Sequence, residues 1–117
     1  MITPRGPKLD LSSPKPVPEP AFSTNDDHVV VATGDIDVAT APQLSEALRV
    51  VIGRGHPQVV LDLAGVDFMD SQGVRVIVRA HKQLERTGGA LVVRGPQAQT
   101  RSVLEVTGLS HLIQPED

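Results

Sequence analysis

A serine that follows two acidic residues is the part of this sequence best suited to chemistry. Ser71 comes directly after Asp70 and shortly after Asp67, and the next acidic residue is Glu85. The apolar, β-branched residues before it predict a buried strand and a turn, followed by a helix from Gln72 onward. Asp70 and Ser71 would offer N-cap oxygens to that helix, and Ser71 would lie at the positive end of its dipole.

The acidic residues are the first alternative, because carboxylates at strand ends could hold a magnesium ion. They are Asp35, Asp37, Asp62, Asp67 and Asp70. A phospho-acceptor aspartate would also need a lysine facing the phosphate, and Lys82 is expected on the solvent side of a helix. The four histidines lack the spacing of metal ligands. No metal site is therefore expected.

Enzyme signatures are also missing from the sequence. It contains no phosphate-binding loop, no dinucleotide-binding glycine pattern and no G-x-S-x-G nucleophile motif. It has no cysteine, which excludes a thiolate nucleophile. Ser71 has acidic neighbours but no evident general base, so it would be a weak nucleophile. We therefore expect no catalytic activity and no cofactor.

Ser71 could instead be the substrate of a kinase. A phosphate at a helix N-terminus adds ~1.5 to 2 negative charges and would meet free backbone N–H groups and the helix dipole. Arg75, one helical turn further along, favours that phosphate, whereas Asp70 opposes it. The helix should therefore survive phosphorylation, so a switch would act at an interface. The alternative is that Ser71 is only an N-cap, contributing ~1 kcal/mol.

The composition limits the compartment and the partners. The chain has 117 residues, a net charge of −3 and only two aromatic residues, Phe22 and Phe68. Non-specific nucleic-acid binding needs a basic surface and stacking aromatics, so it is not expected. No signal peptide and no apolar run of membrane-spanning length is present. These features predict a cytoplasmic protein with no membrane contact.

The first 26 residues differ from the rest because they contain six of the ten prolines. Their spacing favours polyproline II and forbids a helix. We expect residues 1–26 to form a disordered leader, or alternatively a docking segment, and residues 27–117 to form one domain. Residues 9–11 or 21–24 could add an edge strand to that domain.

Apolar periodicity divides residues 28–113 into alternating elements. Strands are expected over residues 28–33, 58–63, 90–94 and 111–113, and helices over residues 40–52, 72–87 and 96–106. Ala64 and Gly65 should end the second strand, with Phe68 among the apolar residues packed beneath the following turn. The order predicts a single α/β domain in which helices cover a mostly parallel sheet of four to five strands.

Residues 72–87 are rich in β-branched residues, but their spacing is helical. One predicted face is apolar and contains Val74, Ile77, Val78, His81 and Leu84. A separate stripe is basic and contains Arg75, Arg79, Lys82 and Arg86. Thr40 is expected to cap the first helix, and Thr107-Gly108-Leu109 predicts a Schellman motif after the last helix.

The stretch from Val59 to Gly73 resembles the signature of STAS domains, in particular bacterial anti-sigma factor antagonists. That signature is a strand, the sequence Phe-Met-Asp-Ser-x-Gly and a helix. Three further stretches match in order: 34–37, Gly88-Gly89 before a strand, and 103–109. The similarity extends from about His28 to Ile113. Many relatives have Ser-Ser-Gly where this chain has Ser71-Gln72-Gly73.

The resemblance implies an antagonist that, when unphosphorylated, binds an anti-sigma factor and releases a sigma factor. The anti-sigma factor would be a GHKL-type serine kinase that supplies ATP and Mg²⁺, and a PPM-type phosphatase would reverse its reaction. The phosphorylated residue would be Ser71. Partner-binding residues would be Asp37, Asp70, Gln72, Gly73 and Arg75, with Asp37 approaching Ser71 from the neighbouring strand end. The alternative is a stand-alone STAS subunit of a stressosome-like scaffold or an ABC transporter complex.

Overall fold

Strands and helices alternate along the chain in a computed structural model that describes residues 8–11 and 28–115. In chain order the elements are β1 (Lys8–Leu11), β2 (Val29–Ile36), α1 (Ala41–Ile52), β3 (Gln58–Met69), α2 (Ser71–Arg86), β4 (Ala90–Arg94) and α3 (Ala98–Val106), followed by a 3₁₀ helix (Ser110–Leu112). The predicted positions of all three α-helices are confirmed, with shifts of one or two residues at their ends.

The strands form one parallel sheet in the order β1-β2-β3-β4. The predicted α/β domain with a parallel sheet and helices is confirmed. Within residues 28–115 the sheet has three strands rather than four to five, and β1 adds a strand from the leader. The edge strand expected at residues 9–11 is thus present. The proline-rich residues 12–26 and the alternative strand at 21–24 lie outside the described residues.

The strand predicted at residues 111–113 is wrong. The Schellman motif is present, since Leu109 N–H donates to Leu104 O at 2.8 Å, and Gly108 has a φ of 81°. The chain then folds into the 3₁₀ helix, which buries Leu109 and Leu112. Only Ile113 forms a single bridge, to Val93 of β4. Burial of these two leucines takes the place of hydrogen-bonded strand pairing with β4 in this segment.

The prediction that Ala64 and Gly65 end the second strand is also wrong. β3 continues to Met69 and pairs with β2 along its whole second half. This pairing includes two bulges in β3. Between the paired positions Val31–Asp62 and Thr33–Gly65, β3 has one residue more than β2, and a second extra residue follows Val66. Gly65 suits this packing, since a Cβ there would lie 2.7 Å from Thr33 Cγ2.

Helix α2 packs against the sheet along a face that differs partly from the predicted one. Its buried residues are Gly73, Val76, Ile77, Ala80 and Leu84. Val74, Val78 and His81, which were expected on that face, are only half-buried. The small residues Gly73 and Ala80 are buried on this face as well.

Helix α2 approaches the sheet closely at Gly73. A Cβ at this position would lie 2.7 Å from Met69 Sδ and 2.8 Å from Ile36 Cγ2. Both neighbours are fully buried in the core and end adjacent strands. Close-packed interiors resist an added methyl group, so glycine is needed where the helix begins against the strand ends.

We therefore expect Gly73→Ala to lower the free energy of unfolding by ~1–3 kcal/mol, although alanine is the better helix former. Gln83→Ala, at an exposed position of the same helix, is the control and should change it by less than ~0.5 kcal/mol. Urea unfolding measures both values. Equal stability of the two variants would show that the contacts of Gly73 are not tight.

Candidate functional site

Strands β2 and β3 end next to each other, at the edge of the sheet that is formed by the carboxyl ends of its strands. Ile36 is paired with Met69, and the N–H of Asp70 donates to Ile36 O at 3.1 Å. The connections to α1 and α2 therefore leave the sheet side by side. This brings Asp37, which follows β2, to the same edge as Asp70 and Ser71, as the resemblance implied.

Asp70 is the N-cap of α2. Its Oδ1 accepts a hydrogen bond from Gln72 N–H at 2.8 Å, and its carbonyl oxygen accepts from Gly73 N–H at 3.0 Å and Val74 N–H at 3.3 Å. Its extended backbone, with φ −109° and ψ −166°, is typical of a cap. Asp70 therefore caps α2 alone, whereas the sequence predicted that Asp70 and Ser71 would both offer capping oxygens.

Ser71 is the first residue of α2 and is exposed. The interpretation of Ser71 as a simple N-cap is wrong, because its neighbour Asp70 occupies that position. A serine that does not cap the helix keeps its hydroxyl available to solvent or to a partner. The exposed hydroxyl at the start of α2 is the central feature of this surface.

The amides that a phosphate on Ser71 was expected to meet are already used. The N–H groups of Gln72, Gly73 and Val74 all donate to Asp70. A phosphate would still be favoured by the helix dipole, but it would lie beside the carboxylate of Asp70. The two effects oppose each other, so phosphorylation should change the stability of α2 little.

Asp37 organises the turn between β2 and α1. Its Oδ1 accepts from the N–H groups of Ala39 at 3.0 Å and Thr40 at 3.2 Å. Thr40 is the N-cap residue of α1, but it makes no capping bond into that helix, contrary to expectation. Its hydroxyl instead donates to Asp35 O at 2.8 Å and accepts from Asp37 N–H at 3.0 Å. The Asp37 carboxylate thus holds its own turn, which lies beside the start of α2.

A groove of about 480 Å³ separates α1 from α2 next to this edge. Its lining includes Val38, Ala41, Pro42, Gln72, Arg75 and Arg79. Arg75 lies one turn after Ser71 on the same helix face and is exposed. Within residues 28–115, no carboxylate forms an ion pair with it. Gln72 and Arg75 therefore border Ser71 on an accessible surface, whereas Gly73 is buried beneath it.

One carboxylate also lines the groove, that of Glu46. It forms an ion pair with Arg49 on the outer face of α1, and this hydrogen-bonded guanidinium lowers the pKa of the Glu46 carboxyl. Because Glu46 is engaged by Arg49, the α2 side of the groove keeps its basic character.

Two exposed apolar residues near the site were not identified from the sequence. Val38, in the β2–α1 turn, is 72% exposed, and Phe68, near the end of β3, is 42% exposed. Phe68 was expected beneath the turn, but the second bulge of β3 lies next to it and only Val66 and Met69 point into the core. An apolar residue within a short polar turn was the available signal for Val38.

The remaining acidic residues do not form an ion site. Asp62 pairs with Arg94 at 3.0 Å, and its other oxygen accepts from Ala64 N–H. In the part of the chain that the structure describes, no group of three histidine, aspartate or glutamate side chains could hold a metal ion. Nor is any described helix long and apolar enough to cross a membrane.

Comparison with known proteins relates this fold and site to one family. The sequence profile of the STAS domain matches residues 19–117. The anti-sigma-B factor antagonist of Listeria monocytogenes is 37% identical over 89 residues, which cover 75% of this chain and 78% of that protein. The crystal structure of an anti-sigma factor antagonist from Mycobacterium paratuberculosis is 31% identical, with a TM-score of 0.68 and coverage of 75% of this chain and 76% of that one.

The Bacillus cell-fate determinant SpoIIAA has a similar fold in two states. Its unphosphorylated form, an anti-sigma factor antagonist, is 21% identical, with a TM-score of 0.68 and coverage of 76% and 78% of the two chains. Its phosphorylated form is 22% identical, with a TM-score of 0.62 and coverage of 76% and 81%. At these identities the similarity shows a shared fold.

The assignment of the cap to Asp70 has a direct test. Asp70→Ala should lower the free energy of unfolding by ~1 kcal/mol, because Gln72 N–H loses its acceptor, whereas Asp70→Asn should keep most of it. Ser71→Ala, at an exposed position without a capping bond, should change it by less than ~0.5 kcal/mol. Urea unfolding at neutral pH gives all three values. An equal loss in Ser71→Ala and Asp70→Ala would return the capping role to Ser71.

Proposed function

Because this chain belongs to the STAS domain family and has anti-sigma factor antagonists among its relatives, we propose that it is an antagonist switched by phosphorylation of Ser71. Its family is one of regulatory proteins rather than enzymes, which confirms the expectation that the chain has no catalytic activity. The relatives named anti-sigma factor antagonists imply an anti-sigma factor as the partner. The finer proposal concerns how that partner is bound and released.

The observation that carries the proposal is the exposed Ser71 at the first position of a helix capped by Asp70. A kinase can reach this hydroxyl without unfolding anything, because Ser71 takes no part in capping. In the proposed cycle the unphosphorylated chain binds an anti-sigma factor that is also a serine kinase. The kinase supplies ATP and Mg²⁺ and transfers the phosphoryl group to Ser71, and a PPM-type phosphatase later removes it.

Phosphorylation would act on the interface through charge. The phosphate would stand beside the carboxylate of Asp70, and both would have to lose water when a partner covers this edge. Burying two neighbouring negative charges without full compensation is costly. Arg75 offers partial compensation one turn away, at an exposed position where ion pairs contribute little. The phosphorylated surface should therefore bind weakly while the fold persists.

The residues proposed for partner binding would have different parts in this surface. Gln72 and Arg75 would touch the partner, since both line the groove between α1 and α2. Asp37 and Asp70 would shape the two loops through their hydrogen bonds. Gly73 would act from below, by letting α2 begin directly against Met69. The proposed exchange with an ATP-dependent kinase and a sigma factor would take place in the cytoplasm.

Substitutions of Ser71 test the switch. Ser71→Ala should bind the anti-sigma factor kinase constitutively, whether or not ATP is present. Ser71→Glu should bind at least about tenfold more weakly, a loss of ~1.4 kcal/mol, because it adds one buried negative charge. Its thermal midpoint should stay unchanged, since an acidic residue is tolerated in the first turn of a helix. Isothermal titration calorimetry and thermal unfolding measure the two quantities.

Ser71→Gln is the matched control for side-chain size and should bind like the unmodified chain. Equal affinities for the Glu and Gln variants would contradict the charge mechanism. Binding of transporter or scaffold components by the folded Ser71→Ala variant, without binding of any anti-sigma factor, would favour the alternative STAS role.

A further inference from the structure

Strand β3 extends well beyond its neighbour β4. The ladder between them runs only from Gln58–Ala90 to Asp62–Arg94, and β4 ends at Arg94. The next seven residues of β3, from 63 to 69, therefore have a strand partner only in β2. Main-chain groups of β3 that point away from β2 need partners from elsewhere, because unpaired buried peptide groups are costly.

Two glutamines at the start of α3 supply such partners. Gln97 Nε2 donates to Ala64 O at 2.8 Å, just beyond the end of the ladder. Gln99 makes two bonds to one residue: Met69 N–H donates to its Oε1 at 2.9 Å, and its Nε2 donates to Met69 O at 3.0 Å. A primary amide offers one acceptor and donors in one plane, so Gln99 takes the place of a peptide unit of a neighbouring strand.

We propose that Gln99 is a positioning residue for Ser71. It fixes the main chain of Met69, and only Asp70 separates Met69 from Ser71. Asp70 is held from the other side by its bond to Ile36 O. The segment from Met69 to Ser71 is thus fixed between β2 and α3. Loss of the Gln99 bonds would let the Asp70 cap and the Ser71 hydroxyl shift together. The consequence for phosphoryl transfer rests on the proposed function, whereas the consequence for the loop does not.

The chemistry of the amide is specific to this task. A carboxylate in the place of the Gln99 amide would accept from Met69 N–H but would face Met69 O with a second acceptor. Alanine would remove both bonds. Gln97 is the natural control, because it directly precedes the same helix and makes one comparable bond. That bond goes to Ala64, near the opposite end of the part of β3 that has no β4 partner.

The test is amide hydrogen exchange on the full chain, followed by NMR, for Gln99→Ala, Gln99→Glu and Gln97→Ala. In both Gln99 variants the amides of Asp70 and Gln72 should exchange at least about tenfold faster, because Gln99→Glu loses one of the two hydrogen bonds to Met69 and Gln99→Ala loses both. In Gln97→Ala they should stay within about twofold of the unmodified chain. Unchanged exchange in the Gln99 variants, or an equal response to Gln97→Ala, overturns the proposal.

Phosphorylation kinetics supply the second readout. With an anti-sigma factor kinase, Gln99→Ala should lower kcat about fivefold or more and leave KM within about twofold, because loss of the Gln99 amide would misplace the Ser71 hydroxyl without removing a contact to the kinase. An unchanged kcat also overturns the positioning role. If the unmodified chain is not phosphorylated, the proposed function fails, and the exchange comparison alone decides whether Gln99 holds the loop.

Discussion

A single residue separates the longest strand of this domain from its longest helix. Met69 ends β3, Ser71 begins α2, and Asp70 must serve both elements. Its N–H completes the sheet by bonding to Ile36, while its carboxylate and carbonyl oxygens satisfy the first amides of the helix. So abrupt a change of direction requires α2 to start in contact with the strand ends. That contact is possible because position 73 has no side chain.

This constraint explains how the site can change charge without losing its fold. Asp70 and Gly73 hold the junction, and Ser71 is left with no structural duty on the outside of it. The exposed Ser71 hydroxyl, which is the proposed phosphorylation site, and the residues that maintain the structure are therefore neighbours with separate tasks. A modification of Ser71 would change the binding of a partner that covers the β2–α1 turn, the start of α2 and the groove between α1 and α2.

The sequence predicted the parts of this arrangement that depend on local patterns. Helical spacing identified α2 in spite of its many valines, and the Schellman motif at Gly108 followed from three residues. It failed where distant contacts decide. The bulges that carry β3 past Gly65 depend on its pairing with β2, and Gln99 reaches Met69 across thirty positions of sequence. The cap could not be assigned to Asp70 alone because Asp and Ser are equally good caps.

The proposed switch requires Ser71 to be the acceptor of a phosphoryl group. Tandem mass spectrometry of the chain after incubation with an anti-sigma factor kinase, ATP and Mg²⁺ tests it most directly. We expect a single phosphate, on Ser71, and none on the exposed Ser102 of α3 or Ser110 of the 3₁₀ helix. A phosphate on another serine, or a chain that binds the kinase but is never modified, would contradict it.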